Sequence, residues 1–243
     1  MRLWVDTDVG TDPDDAIALL CAVAHPDVEL IGISTVDDPH GERAAIARRL
    51  LDGIPVAAGP DVAADALLAI GPLTNVARMA RAGAVPPRVA IMGGALAPVW
   101  HRGTLHTVEH NFGTDPSAAA TVLARVAEVL LCPLDVTVRT CLDDGERGRL
   151  VEADARLGPI LAGWEARVCL HDPLALLALL EEPAVRTERR HLAVDPDGVV
   201  RVGEGAEHEV VVDVDAHAAT ARIVALLEQG ARYTGSPAED ERP

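Results

Sequence analysis

The sequence predicts an α/β protein built on a Rossmann-like, mostly parallel sheet that is flanked by helices. Two observations carry this prediction. Short apolar runs rich in Val and Ile alternate with amphipathic segments, as is typical of buried parallel strands joined by helices. The chain also has 243 residues and 49% hydrophobic residues, enough for one packed core. We therefore expect a single α/β domain over residues 1–230 and a disordered tail over residues 231–243.

The N-terminal half shows this alternation most clearly. Its apolar runs are LWV, VELIGISTV, IPVAAG, ALLAIG, RVAIMGG and EVLLCPLDV, and its amphipathic runs are AIALLCAVA, ERAAIARRLL, NVARMARAG and AAATVLARV. We expect strands from the first set and helices from the second. Because crossovers between parallel strands are right-handed, the carboxyl ends of the strands share one edge, and open α/β sheets bind ligands there.

The C-terminal half changes character. After Asp143 the pattern is helical to about Leu180, and HDPLALLALL begins a helix at Asp172. Two β-like segments follow, RRHLAVDPDGVVRV around a Pro-Asp-Gly turn and EVVVDVDA. A last helix is expected near Ala216 to Gln229.

Charge narrows the range of partners. The chain has 38 acidic and 21 basic residues, all of the latter arginine, and a formal net charge of −17. This charge disfavours nucleic acid and anionic membranes as partners, and the absence of lysine excludes lysine-dependent chemistry. Charges interrupt every apolar stretch before about 20 residues, the length that a membrane span needs. We expect a cytoplasmic protein.

The cysteines support the same location. Cys21, Cys132, Cys141 and Cys169 show no C-x-x-C pairing, and we interpret them as reduced thiols. Neither they nor the nine histidines have the sequence spacing of a zinc site.

Five aspartates lie between Asp6 and Asp15, where the first strand ends and the first helix begins. Helix capping explains Asp14 and Asp15, because free N–H groups and the helix dipole favour negative charge there. It does not account for all five, since crowded carboxylates repel one another unless a cation lies among them. Three or four carboxylate oxygens around one point are typical of a calcium site. We expect only one of Asp6 and Asp8 to share this pocket.

Other motifs should reach the same edge of the sheet. GPLTN (Gly71–Asn75) follows one predicted strand and MGG (Met92–Gly94) follows another. A further carboxylate is expected from Asp172, because the His-Asp-Pro step places it at the N-terminus of a wholly apolar helix. The alternative is that Asp172 only caps that helix.

Taken together, the motifs resemble those of the inosine/uridine-preferring nucleoside hydrolases, from Leu3 to about Pro183. The matching segments, in the family's order and approximate spacing, are DTDVGTDPDDAIAL, AIGPLTNVA, IMGGAL, VEHNFGTDPSAAATVL and HDPLALLALLEEP. The resemblance implies a calcium-dependent N-glycosidase that releases base and ribose from a nucleoside or related riboside, with a role in purine or pyrimidine salvage. It is also compatible with a homo-oligomer.

The resemblance further implies roles for individual residues. Asp8 and His171 would be catalytic, as general base and as donor to the leaving base; alternatively, His171 only orients Asp172. The implied metal ligands are Asp8, Asp15, Asp172 and the backbone carbonyl of Thr74. The implied sugar-binding residues are Asp14, Glu109 and Asn111.

The chain departs from the family pattern in several places. The loop after GISTV lacks the usual asparagine, for which Asp38 could substitute, and Gly103 lies near the place of a second one. A long insert that helps to enclose the substrate is missing after Gly59. The segment LAPVWHRGTLHTV could stack on a base, but we interpret it as a surface loop with a half-buried Trp100. Asn75 either belongs to the site or caps the helix NVARMARAG.

Two other functions remain as alternatives. The missing segments favour a catalytically impaired protein of the same fold that binds calcium and ribose without turnover. WVDTDVGT also resembles the D-x-D motif of haloacid-dehalogenase-type phosphatases, but that mechanism normally requires a lysine, which this chain lacks.

Overall fold

The computed structural model describes residues 1–59, 63–162, 164 and 167–234. The strands in these residues are β1 (Arg2–Thr7), β2 (Glu29–Thr35), β3 (Ala66–Ala69), β4 (Arg88–Met92), β5 (Val99–His101), β6 (Thr104–His106), β7 (Val129–Cys132), β8 (Val185–Val194), β9 (Val200–Val202) and β10 (Ala206–Val214). The helices are α1 (Asp14–Ala24), α2 (Glu42–Leu50), α3 (Thr74–Ala82), α4 (His110–Thr114), α5 (Pro116–Arg125), α6 (Leu134–Thr137), α7 (Asp144–Ala153), α8 (Leu157–Ala162), α9 (His171–Leu179) and α10 (Ala216–Thr234).

The main sheet has the strand order β2-β1-β3-β4-β7-β10-β8-β9. Neighbouring strands from β2 across to β10 pair in parallel, whereas β8 pairs antiparallel with both β10 and β9. This topology confirms the predicted mostly parallel α/β fold. The carboxyl ends of β1, β3, β4 and β7 consequently lie along one edge of the sheet.

Helices cover both faces of this sheet. Helices α1, α9 and α10 contribute to the hydrophobic core on one face, and α3 and α5 contribute to the core on the other. Every residue of β3 and β7 is buried, as expected for parallel strands between two helical layers. Helix α9 is buried along its whole length and packs against α1, so the N-termini of these two helices can meet.

The secondary structure differs from the prediction in three places. IPVAAG contributes only an isolated bridge between Val56 and Ile33, and the predicted surface loop over residues 96–108 contains the hairpin β5–β6. Helix α10 continues to Thr234, so the first part of the predicted tail is helical; the rest, 235–243, lies outside the described residues. The domain boundary stays a prediction.

The expectation of four reduced cysteines is wrong in part. Cys141 and Cys169 form a disulfide, whereas Cys21 and Cys132 are free and buried. The bonded pair is 28 residues apart in sequence and lies on two antiparallel segments that face each other. This proximity arises from tertiary packing, which the sequence spacing does not reveal.

No helix within the described part of the chain combines the length and the apolar character that a membrane crossing needs.

Candidate active site

A cavity of about 390 Å³ opens at the carboxyl edge of the parallel strands. Residues at or just beyond the ends of β1, β3, β4 and β7 contribute to its wall, together with the N-termini of α1 and α9 and the hairpin β5–β6. The carboxylates in this wall belong to Asp8, Asp12, Asp14, Asp15, Glu109 and Asp172. The fold thus gathers acidic residues from three distant parts of the sequence around one space.

Asp14, Asp15 and Asp172 form the tightest group of carboxylates. One oxygen from each lies within 4.8 Å of the other two, and all three residues are buried. Asp14 and Asp15 open α1, while Asp172 lies in the first turn of α9. The packing of α1 against α9 therefore brings two helix N-termini, with their partial positive charge, to this group.

Without a cation, it is unfavourable to keep these three buried carboxylates ionised. Burial is the main cause that raises the pKa of Asp14 to about 7, and the neighbouring Asp12 adds to it. Burial and the surrounding aspartates also raise the pKa values of Asp15 and Asp172 well above the usual range. The Thr7 hydroxyl donates a hydrogen bond to Asp15, which opposes the shift. A bound cation would favour the charged forms, and oxygen donors of this kind fit a hard divalent ion.

Asp8 lies just beyond the end of β1 and lines the cavity. Burial is the main cause that raises its pKa, and the Arg43 guanidinium, 3.8 Å away, opposes this shift. The loop after β3 approaches Asp8 so closely that a Cβ at Gly71 would lie 2.9 Å from the Asp8 backbone nitrogen. The glycine of the GPLTN motif therefore allows this loop to pack against the end of β1.

Asp6 is turned away from the cavity into a buried network. Its Oδ1 accepts hydrogen bonds from Ser34 Oγ at 2.5 Å and from Asn75 Nδ2 at 2.9 Å. Asn75 Nδ2 also donates to the Thr35 carbonyl at 3.0 Å. As the sequence indicates, only Asp8 of the two aspartates shares the pocket. Asn75 ties α3 to β1 and β2 and neither lines the cavity nor caps the helix.

Two other predicted positions lie away from the cavity wall. Thr74 begins α3, and its hydroxyl donates to Asp115 at 2.6 Å; the role of its carbonyl as a metal ligand stays a prediction. Asp38 accepts hydrogen bonds from the backbone N–H groups of Arg43 and Ala44. Its carboxylate therefore supports the start of α2, and its suggested substitution for the missing asparagine stays a prediction.

Glu109 and Asn111 enter the cavity at the start of α4. Glu109 accepts hydrogen bonds from the backbone N–H groups of Gly94, Asn111 and Phe112 at 2.9, 2.8 and 3.1 Å. Burial raises the pKa of Glu109, and these three donors oppose the shift. Asn111 Nδ2 donates to the Met92 carbonyl at 3.1 Å. Backbone groups at the end of β4 and at the start of α4 thus hold both side chains in place.

His171 precedes Asp172 at the start of α9 and also lines the cavity. Its Nδ1 lies 2.7 Å from Thr137 Oγ1, and its ring meets that of His101 edge-on, with the centroids 5.4 Å apart. Burial is the main cause that lowers the pKa of His171 to about 3, and the nearby His101 and Arg102 add to it. His171 is therefore neutral near pH 7.

The hairpin β5–β6 supplies cavity residues that we did not assign from the sequence, namely His101, Arg102, Thr104 and His106. Trp100 is 71% exposed, so the expected half-buried residue is instead on the outer side of the hairpin. A sequence signal for this element was present, because an x-Gly pair between two short alternating runs is typical of a tight hairpin turn.

Two arginines approach the acidic cluster. Arg102 lies at the hairpin turn, with Nη1 2.8 Å from the Asp12 carboxylate and its guanidinium 5.1 Å from the ring centroid of Trp164. Arg43 approaches Asp8 from α2, on the other side. Both ion pairs join residues that are distant in sequence, which is why the motifs gave no sign of them.

A family model described as inosine-uridine preferring nucleoside hydrolase matches residues 38–225 of this chain. This match begins after the aspartate cluster and does not cover it.

Two curated proteins illustrate the sequence relationships. An uncharacterized protein of Schizosaccharomyces pombe is 26% identical over 275 positions, which cover 84% of this chain and 87% of that protein. The non-specific ribonucleoside hydrolase RihC of Escherichia fergusonii is 31% identical over 163 positions, which cover 61% of this chain and 50% of that protein. The matched part thus spans about half the length of RihC. Because 275 positions exceed the 243 residues here, the Schizosaccharomyces pombe protein carries segments that this chain lacks.

Solved structures share the fold at lower identity. The inosine-uridine preferring nucleoside hydrolase from Bacillus anthracis has a TM-score of 0.77 and 20% identity, covering 94% of this chain and 99% of that one. A plant nucleoside hydrolase has a TM-score of 0.75 and 18% identity, covering 93% of this chain and 98% of that one.

Proposed function

The chain belongs to the inosine-uridine preferring nucleoside hydrolase family, and from this premise we propose that it hydrolyses the N-glycosidic bond of ribonucleosides or a related riboside, with calcium as its cofactor. Family membership makes it a hydrolase of the N-glycosidase type. One observation supports the finer proposal most strongly: the carboxylates of Asp14, Asp15 and Asp172 converge at two helix N-termini within a cavity that Asp8 also lines.

The proposed metal ligands are the carboxylates of Asp8, Asp15 and Asp172 and the carbonyl of Thr74. The contacts within the trio make Asp14 a further candidate ligand, beside its proposed role in binding the sugar. Bound calcium would supply positive charge that offsets the buried carboxylates and a Lewis-acid centre that polarises water.

The proposed reaction uses the cavity's own residues as follows. Asp8 accepts a proton from the attacking water as general base. The hydroxyls of the ribose are bound by Asp14, Glu109 and Asn111, whose positions the backbone fixes, so the sugar is held in one orientation. As the C1'–N bond breaks, positive charge develops on the sugar, and the surrounding carboxylates stabilise it.

His171 is the proposed donor to the leaving base. With Nδ1 engaged by the Thr137 hydroxyl, Nε2 is the ring nitrogen left for the cavity. When Thr137 donates to Nδ1, Nε2 carries the hydrogen and can donate a hydrogen bond to the departing base. Since burial keeps the ring neutral, this contact is a hydrogen bond from a neutral imidazole.

The first test is hydrolysis of p-nitrophenyl riboside and of a panel of ribonucleosides, with calcium and after chelation. We expect activity only with calcium. Asp8→Asn should lower kcat by about 10²- to 10⁴-fold, the usual contribution of general base catalysis. The matched control is Asp197→Asn, an exposed residue of the β8–β9 turn, which should leave kcat unchanged.

The second test is calcium binding by isothermal titration calorimetry on chelator-stripped protein, with and without ribose. Asp15→Asn and Asp172→Asn should each weaken calcium binding at least about tenfold, because each removes a charged oxygen donor. Unchanged affinity in either variant would remove that residue from the proposed ligand set.

These tests also separate the two alternatives. Calcium and ribose binding without turnover of any riboside would favour the catalytically impaired binding protein, for which the missing insert is the main support. The phosphatase alternative loses its basis, because the family match is to nucleoside hydrolases.

A further inference from the structure

A second group of metal-ligating side chains lies beside the carboxylate trio. One ligand atom each from His101, Cys169 and His171 lies within 4.8 Å of the other two. Cys169 and His171 are buried, and His101 is partly buried. His101 comes from β5, whereas the other two flank the start of α9, so tertiary structure alone assembles the group.

The state of Cys169 controls whether this group can bind a metal. In the structure its sulfur is bonded to Cys141. Backbone hydrogen bonds join the two segments on either side of the bond, from Leu142 N to Val168 O at 2.8 Å and from Leu170 N to Thr140 O at 2.7 Å. These contacts keep Cys169 in place when the disulfide opens. A cysteine binds metal as a thiolate, and a sulfur held in a disulfide cannot do so.

The two histidines are prepared for metal binding. Their rings meet edge-on, with the centroids 5.4 Å apart, and one ring nitrogen of each lies within 4.8 Å of the other and of the Cys169 sulfur. In the His171 tautomer with hydrogen on Nδ1, this nitrogen donates to Thr137 Oγ1, whose own hydrogen points to the Leu134 carbonyl, and Nε2 is the ring nitrogen that can bind metal. A metal-ligating histidine commonly donates its other ring N–H in this way, which orients the ring.

We propose that reduction of the Cys141–Cys169 disulfide creates a zinc site formed by the Cys169 thiolate, His101 and His171. Two imidazoles and one thiolate suit Zn²⁺, with a fourth position open to water from the cavity. The nearby trio of carboxylates suits a hard oxygen-seeking cation instead, so the two sites differ in metal preference.

The reaction balances with an external reductant. A phosphine and one water convert the disulfide into two thiols and a phosphine oxide, which is a two-electron reduction. Zinc then displaces the proton of the Cys169 thiol, and one proton is released per ion bound. Cys141 remains a thiol and takes no part in coordination.

The geometry requires a small rearrangement. Tetrahedral zinc with bonds of about 2.0 Å to nitrogen and 2.3 Å to sulfur places its ligand atoms roughly 3.3 to 3.6 Å apart. Since the ligand atoms lie within 4.8 Å of one another, they need to approach by at most about 1.5 Å. His101 can supply this movement, because its hairpin forms a two-stranded sheet separate from the main one.

One consequence rests on the proposed function. Zinc at this site occupies His171 Nε2 and so removes the proposed donor to the leaving base. The reduced enzyme should therefore be inhibited by zinc, whereas the oxidised enzyme should resist it.

The test measures zinc binding directly and does not depend on activity. Chelator-stripped protein, oxidised or reduced with a phosphine, is titrated with Zn²⁺ against a chromogenic chelator, and with Co²⁺ to detect thiolate coordination by its charge-transfer absorption. We expect one tight site per chain in the reduced protein and at least about 30-fold weaker binding in the oxidised protein. Cys141→Ser, which leaves Cys169 free, should bind zinc tightly without reductant.

Two further variants each remove one proposed zinc ligand. Cys169→Ser should abolish tight zinc binding with and without reductant. His101→Gln should still form the disulfide when oxidised, and once reduced it should bind zinc about 10- to 100-fold more weakly than the reduced wild type. Excess calcium should not displace the zinc. Equal binding in the two redox states, or loss of zinc to calcium, would assign the ion to the carboxylates and overturn the proposal. Because these readouts need no turnover, they remain informative even if the hydrolase proposal fails.

Discussion

The buried carboxylate of Asp6 is expected to make the stability of the protein depend on pH. It accepts hydrogen bonds from Ser34 and Asn75 through Oδ1, while among the described residues its buried Oδ2 has no hydrogen-bond partner. Burial raises the pKa of Asp6 from 3.8 to about 6. The folded state therefore binds this proton more tightly than the unfolded state does, and stability is lost as the pH rises from about 4 to 6.

Asp6→Asn removes this penalty, because asparagine keeps an oxygen acceptor for Ser34 and Asn75 without the charge. We expect the variant to be more stable than the wild type at pH 7 by up to about 3 kcal/mol, the free energy that corresponds to the pKa shift. The wild type and variant should have similar stability below pH 4. Denaturant unfolding across this pH range measures the difference, with exposed Asp27→Asn as the control.

Glu109 is expected to have both a structural and a substrate-binding role. Glu109→Gln replaces a carboxylate that accepts three backbone hydrogen bonds with a neutral amide. We expect a loss of about 1–2 kcal/mol in the free energy of unfolding and a large loss of kcat/KM. Asp143→Asn is the matched control, since Asp143 caps α7 through Glu146 N at 2.7 Å and is exposed. Similar losses of activity in both variants would mean that Glu109 affects activity only by stabilising the fold.

At the scale of elements, the hairpin β5–β6 is expected to help to enclose a bound substrate. It forms one wall of the cavity, and Arg102 fastens its turn to Asp12 and Trp164. A hairpin held in this way can exclude water from a bound substrate, as an enclosing segment does in other enzymes.

Arg102→Ala should loosen this wall. We expect KM to rise several-fold with a smaller change in kcat, while stability changes by less than about 1 kcal/mol because a partly exposed ion pair contributes little. Arg139→Ala is the matched control, since Arg139 pairs with Asp213 at the same distance of 2.8 Å and neither residue lines the cavity. Steady-state kinetics should show the higher KM in Arg102→Ala and not in Arg139→Ala. An unchanged KM in Arg102→Ala would contradict the expectation that the hairpin helps to enclose the substrate.

At the scale of the whole molecule, the acidic cluster makes stability depend on both pH and calcium. Asp14, with a pKa raised to about 7, together with Asp15 and Asp172, whose pKa values are also raised, bind protons more tightly in the folded state. In chelated protein, stability should therefore fall as the pH rises from about 4 to 7.

Calcium should reverse this trend, because it binds the ionised carboxylates and stabilises the folded state in proportion to its affinity. We expect the rise in Tm on adding calcium to be largest near pH 7 and small near pH 4. Thermal unfolding with calcium and with chelator at both pH values measures this rise. A calcium effect that does not depend on pH would mean that the ion binds elsewhere.

The location and assembly of the molecule stay predictions. A disulfide is uncommon in a reducing cytoplasm, so a cytoplasmic location would favour the reduced form of Cys141 and Cys169 and, with it, the proposed zinc site. Trp100 and Leu105 form a cross-strand pair on the outer side of the hairpin, and they are 71% and 54% exposed. Their exposure is compatible with the predicted homo-oligomer without identifying its interface.

The sequence by itself determined the fold class and the family, because strand and helix periodicity, turn residues and short motifs are local properties of the chain. It also determined that Asp8, Asp14 and Asp15 lie between the end of β1 and the start of α1, since the sequence pattern marks both ends. The motifs also predicted Asp172 in this site, and the tertiary structure decided how closely it approaches Asp14 and Asp15. Only the tertiary structure decided that Cys141 pairs with Cys169 and that a hairpin carrying Arg102 closes one side of the cavity. These contacts join residues far apart in sequence, and their distances are set by how α1, α9 and the hairpin pack rather than by any local pattern.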